Sequence, residues 1–219
     1  MGELNLSVFP FWDFLEKDER EEFVKQARKV NFKKNQLIMS TEMDCLGVLY
    51  ILSGSVRIYL YSEDGREVTI SRLKKDEMCM LSASCMITQI SFPAAMSAED
   101  DVEAILIPTG FMNRLKDENV YVENCVYKNT TERFSDVISG IEQMMFMTLE
   151  QRIVTFLLDE TAEEGSDTLN VTQEKIALAI GSAREAVSRI LKQLSKAGYI
   201  EVTRGKIKIL DKKGLYSKF

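Results

Sequence analysis

Residues 171–202 read VTQEKIALAIGSAREAVSRILKQLSKAGYIEV, and this stretch decides the C-terminal fold. Thr172 is placed to cap a helix over Gln173–Ile180, because a threonine oxygen can accept from an early helical N–H. Gly181-Ser182 then makes a tight turn into a second helix, expected over Ala183–Ala197. Gly198 stands where a helix can end in the left-handed conformation. Tyr199–Val202 and Lys206–Leu210 predict a hairpin about Arg204-Gly205. Ahead of the stretch, Gln151–Ala162 is amphipathic through Ile153, Phe156 and Leu157, and Glu163–Asp167 is a polar loop. Three helices followed by two short strands describe a winged helix-turn-helix.

In the second helix of the pair, Val187, Ile190, Leu191 and Leu194 fall at i, i+3, i+4 and i+7 and must face a core. Arg184, Glu185, Ser188, Arg189 and Lys192 are left on the outer side. Arginine can donate two hydrogen bonds to a guanine edge and glutamate can accept from cytosine, so the stripe suits a DNA major groove. Ser182-x-x-Glu185 also fits a capping box, in which Glu185 would close the helix N-terminus; both roles remain open. Ser182, Thr172, Arg204 and Lys206 complete the expected DNA-contact set.

Charge supports that placement. The chain has 219 residues and a net charge of −6, but Thr172–Phe219 holds 11 Lys and Arg against 4 Asp and Glu, or +7. The remainder holds 17 basic against 30 acidic residues, or −13, so one end can approach phosphates.

Upstream, short β-rich runs alternate with turn residues: Leu37–Ser40, Gly47–Leu52, Val56–Tyr61, Glu67–Arg72 and Ala104–Ile107, with Gly54 and Asp64-Gly65 between. They predict a small all-β roll after an N-terminal helix over Pro10–Ala27. From Phe111 to Met147 the spacing becomes helical, with Val122, Val126, Phe134, Val137, Ile138, Ile141, Met144 and Met145 recurring every three or four residues. Such a helix can lie on the β domain, or its apolar stripe can form a parallel coiled-coil seam between two copies. The second reading is preferred, because a helix this long outruns a small domain. The expected class is α+β, with a β-roll over 1–110, a dimerisation helix over 111–147 and a winged domain over 148–219.

Several function classes drop out. The chain contains no histidine, and Cys45, Cys79, Cys85 and Cys125 form no C-x-x-C pair, which argues against zinc sites, His-ligated haem and histidine-based catalysis. No metal and no enzyme activity are expected. The longest apolar run, Cys45–Leu52, is far short of the ~18–20 residues that span a bilayer. The N-terminus lacks the basic start of a secretory signal, so the expected location is cytoplasmic, with no membrane partner.

Residues 171–202 closely resemble the DNA-binding domain of the Crp/Fnr family, and the order of β-roll, long helix and winged domain follows that family over nearly the whole chain. The resemblance implies a homodimeric transcription regulator that binds double-stranded DNA and contacts RNA polymerase. Glu185-x-x-Ser188-Arg189 resembles the reading set of the Fnr branch, which implies TTGAT-like half-sites in an inverted repeat, whereas Arg184 matches an arginine of the Crp branch.

The sensor residues depart from the family pattern. In members that bind cyclic AMP, a glutamate holds the ribose and an Arg-Ser pair holds the phosphate. Here Met80 falls at the glutamate, Phe92-Pro93 at the Arg-Ser pair, and Val137-Ile138 at the polar pair that meets the base. A buried phosphate would lose its cationic partner, so cyclic AMP is not expected. The N-terminal cysteine cluster of the iron-sulfur branch is missing as well. What remains is Met80, Leu81, Ser82, Phe92, Val137 and Ile138, which form plain core or an apolar effector pocket, with Cys79 and Cys85 as a possible redox pair. A rival reading makes the chain a ligand- or redox-sensing module whose helix-turn-helix contacts protein instead of DNA.

Overall fold

A computed structural model describes residues 4–40, 46–62, 67–79 and 94–219. The chain divides into two compact units, Met1–Tyr61 with Ser71–Val137, and Ser62–Ile70 with Ile138–Phe219.

The N-terminal part is a roll of short strands: β1 (Arg28–Phe32), β2 (Leu37–Met39), β3 (Gly47–Ser53), β4 (Val56–Tyr61), β5 (Glu67–Leu73), β6 (Met78–Cys79), β7 (Ala94–Ala98) and β8 (Val102–Pro108). They form two four-stranded sheets, ordered β1-β8-β3-β6 and β2-β7-β4-β5. Antiparallel register sets Tyr50 opposite Ile105 and Ile58 opposite Met96. The sequence of β3 is apolar on both faces for a reason. Leu49 and Ile51 are fully buried, while Val48 and Tyr50 are buried with the N-terminal aromatic residues and the helices that follow β8.

The N-terminal helix expected over Pro10–Ala27 is shorter. Two 3₁₀ turns, Leu6–Val8 and Trp12–Phe14, precede α1 (Lys17–Gln26). Glu16 and Glu19 cap each other's backbone at its start, and Phe9 meets Phe23 edge-on with ring centroids 5.0 Å apart. Strands β1, β6 and β7 carry no clear alternation of their own. β1 is mostly exposed and β7 is built from Ala, Met and Ser, so long-range pairing creates them.

The long helical stretch breaks at Asn119 into α2 (Thr109–Glu118) and α3 (Val120–Phe146). Asn119 is extended, and its Oδ1 accepts from the Tyr121 N–H at 3.0 Å, capping α3. Val122 and Val126 are fully buried with the roll core, so they are not part of an intersubunit seam as the sequence spacing suggested. A second face stays exposed: Val120, Tyr127, Phe134 and Ile141 are seven residues apart, and so are Ile138 and Met145. The reading that lays this helix on the β domain therefore holds for the Val122–Val126 face, and the second apolar face is left exposed.

The C-terminal part runs α4 (Leu149–Glu164), β9 (Thr168–Leu169), α5 (Gln173–Ile180), α6 (Arg184–Lys196), β10 (Ile200–Thr203), β11 (Lys206–Ile209) and α7 (Lys212–Tyr216). The strands order as β10-β11-β9, with Val202 opposite Ile207 and Ile207 opposite Leu169. Ile153, Leu157, Ile176, Val187, Leu191 and Ile207 share one core. The two-residue β9 and five-residue α7 are too short to leave a periodic signal. Among the described residues, no helix is long and apolar enough to cross a membrane.

Candidate nucleic-acid interface

α5 and α6 are joined by a turn that the sequence dictates closely. The Thr172 hydroxyl accepts from the Lys175 N–H at 3.1 Å, so Thr172 caps α5 as its position predicts. Gly181 adopts φ +63°, a left-handed conformation that glycine takes without steric cost, and the Ser182 N–H bonds the Ala177 carbonyl at 2.9 Å. The turn is backed within the same unit by Val68, whose methyls lie beside Gly181, and by Thr69, which donates to the Leu178 carbonyl at 2.9 Å.

α6 starts at Arg184 with Ala183 as its N-cap and no side-chain cap. The helix therefore begins two residues later than Ser182, and the Ser182/Glu185 capping box does not form. The turn spends Ser182 on α5, which shifts the cap by one residue and leaves Glu185 exposed. Val187, Leu191 and Leu194 are buried behind the helix and Ile190 partly so, each full burial contributing about 1.5–3 kcal/mol. The front is held rigid by this packing.

On that front, Arg184, Glu185, Ser188, Arg189 and Lys192 surround one open depression of about 580 Å³, together with Gln173, Gln193 and Lys196. Sequence reasoning had not singled out the last three. Gln193 and Lys196 lie four residues beyond Arg189 and Lys192 on the same stripe, a spacing that would have found them. Gln173 arrives from the start of α5, which only the tertiary fold brings near. A second cleft of about 410 Å³ opens between the start of α5 and the wing, bordered by Thr172, Arg184, Thr203, Arg204 and Gly205. Arg184 borders both, with Nη1 3.9 Å from Glu174 in an exposed pair. Such pairs contribute about 0–1 kcal/mol, so the guanidinium can exchange its partner for a phosphate or a base. Ser182 and Lys206 border neither depression; Lys206 stands exposed on the wing opposite Thr203.

The sensor candidates are less gathered. Met80, Leu81, Ser82, Cys85 and Phe92 lie outside the described residues. Val137 is half-buried and Ile138 exposed. Cys79 is fully buried opposite Leu49. Burial pushes the Cys125 thiol up to about 11, the opposite of a reactive thiolate. Among the described residues no group of three or more His, Cys, Asp or Glu could hold a metal ion.

Comparison with known proteins agrees with this architecture. Residues 29–119 match the cyclic nucleotide-binding domain family, and residues 151–217 match the Crp-like helix-turn-helix domain. A transcriptional regulator assigned to the Crp/Fnr family, from Eubacterium rectale ATCC 33656, superposes with a TM-score of 0.90 at 37% identity, covering 97% of this chain and 98% of that one. This chain belongs to the Crp/Fnr family. Crp/Fnr proteins are DNA-binding transcription regulators, and the β-roll, long helix and winged domain described above are the family's fold. The transcriptional regulator SdrP of Thermus thermophilus is 28% identical over 172 residues, 75% of this chain and 80% of that protein. FixK2 of Bradyrhizobium japonicum shares the Crp/Fnr fold, with a TM-score of 0.72 at 19% identity over 87% of this chain and 96% of that one.

Proposed function

We propose that this Crp/Fnr regulator acts in the cytoplasm as a homodimer that reads an inverted repeat in double-stranded DNA, with α6 of each copy in a major groove. The observation that carries this reading is the exposed front of α6, where Arg184, Glu185, Ser188, Arg189 and Lys192 converge on one depression. Arg204 and Lys206 on the wing supply cations for flanking phosphates, and Thr172 and Ser182 hold α5 and the turn at the DNA side. By task the chain divides into a sensor over 1–110, a dimer helix over 111–147 and a DNA reader over 148–219. RNA polymerase is the further partner that family resemblance implies.

The heptad-spaced face of α3 supports the dimer, since Phe134 is 64% exposed and Ile141 47%. A twofold pair must present its recognition helices one DNA turn apart, roughly 34 Å, so a signal that changes how α3 is held changes DNA affinity. That signal acts at the roll and is not cyclic AMP, because Met80, Phe92 and Val137-Ile138 replace the polar groups a cyclic nucleotide needs. Unbiased selection of bound duplexes tests the reading, with recovery of paired TTGAT-like half-sites as the expected outcome. Affinity for the selected site must also fall steeply with salt. A flat salt response would favour the rival in which the winged domain contacts protein.

A further inference from the structure

The basic segment Thr172–Phe219 carries four acids, and three of them have evident tasks. Glu201 lies opposite Lys208 across the wing, Asp211 caps α7 by accepting from the Gly214 N–H at 2.9 Å, and Glu185 stands on the α6 front. Glu174 is the fourth. It is the second residue of α5, and it lines the cleft beside the wing, on the side of the winged domain read as facing DNA. A carboxylate there costs affinity for phosphates through like-charge repulsion, so its position calls for a gain elsewhere.

Arg184 supplies that gain. It is the first residue of α6, and the N-cap before it, Ala183, has no side chain that could accept a hydrogen bond. A cation there meets the positive end of the helix dipole, and the Glu174 oxygen 3.9 Å from Nη1 offsets it. Arg184 borders both the cleft and the α6 depression, whereas Glu174 borders the cleft alone. The carboxylate therefore stands on the cleft side of the guanidinium and leaves the α6 front to the bases. A guanidinium has five N–H donors, enough to keep Glu174 and still give two to a base edge. In the free chain the pair is loose and solvated, with side chains 64% and 66% exposed, and attraction between the same charges rises when DNA displaces the water around them.

We infer that Glu174 is a positioning residue for base reading: its carboxylate buttresses Arg184 so that the guanidinium meets one guanine edge in each half-site. Glu174 itself touches no base. It sharpens preference at that one position and lowers general affinity for phosphates. The inference rests on the DNA reading of α6 and adds to it a residue of α5 that acts through Arg184.

The test uses the full chain in unbiased selection of bound duplexes, followed by anisotropy titration of the selected operator and of a random duplex of equal length. Arg184→Ala removes preference at one position of each half-site. Glu174→Gln removes preference at the same position and leaves the others. Its operator affinity falls about threefold and its random-duplex affinity rises about threefold, since one negative charge per copy is gone, so the ratio of the two drops about tenfold. In the Arg184→Ala background, Glu174→Gln no longer lowers that ratio. A carboxylate in the first turn of α5 also suits that helix's own dipole; such a role alone would show in the unfolding midpoint and leave base preference intact. The inference is overturned if Glu174→Gln raises affinity for both duplexes equally, if it keeps the position that Arg184→Ala loses, or if it lowers the ratio as much without Arg184. A chain that selects no sequence removes the DNA reading and this inference with it, while a selected motif that Glu174→Gln leaves unchanged removes this inference alone.

Discussion

Replacing Arg189 distinguishes base reading from simple charge attraction. Its side chain stands exposed on the front of α6, and among the described residues it makes no ion pair, so its whole fork is available to DNA. One bidentate contact to a guanine edge is worth about 1–3 kcal/mol, and a twofold dimer makes two, so Arg189→Ala should cost about 2–6 kcal/mol on the operator. That is a loss of about 30-fold to 10⁴-fold in affinity. On random duplex only two cations per dimer are lost, and at about 0.3 M salt their counterion term amounts to about tenfold. Arg189→Lys keeps the charge without the fork, so it should bind random DNA within about twofold of the unaltered protein and still lose most operator affinity. Fluorescence anisotropy with a selected operator and a random duplex of equal length, over a salt series, measures both. Equal losses on the two duplexes, or full operator affinity in Arg189→Lys, would refute base reading by Arg189.

Leu191 is fully buried behind α6, so Leu191→Ala should lower stability by about 2–5 kcal/mol in urea denaturation; a loss under about 1 would mean α6 is not held as described. Phe134→Glu with Ile141→Glu should give a monomer by light scattering with its circular dichroism unchanged, and a persisting dimer would place the seam elsewhere. Val122→Glu should instead unfold the roll, since Val122 is fully buried there. At Gly181, φ +63° and a position for Cβ only 3.1 Å from a Val68 methyl predict that Gly181→Val costs about 1–2 kcal/mol in backbone strain alone and weakens operator binding; unchanged midpoint and affinity would contradict this. The Cys125 thiol, raised from 9.0 to about 11 by burial, keeps its proton through neutral pH. The stability it contributes is fully present below 9.0 and is lost as pH climbs toward about 11, so peptide mapping after iodoacetamide should find Cys125 unmodified near neutrality and labelled only at high pH.

Some of this molecule is legible in one dimension because the forces that shape it are local. The Thr172 cap, the left-handed Gly181, the Val187–Leu191–Leu194 stripe and the Gly205 hairpin each depend on residues within one or two turns of each other, and each forms where the spacing places it. The front of α6 follows from the same periodicity, since a helix that buries one stripe must expose the opposite one. Pairing across long separations is a different matter. Strand β7 exists because β4 and β2 flank it, and its own Ala-Ala-Met-Ser-Ala carries little preference for a strand. The break at Asn119 and the two faces of α3 likewise needed the folded roll, because apolar spacing alone cannot say whether Val122 or Phe134 meets the chain's own core. Gln173 joins the α6 front, and Arg133 meets Glu77, only because distant segments are brought together. Periodicity thus settled the helix thought to read DNA, and the packing of strands from across the chain settled which side of α3 is buried in the roll and which is left exposed.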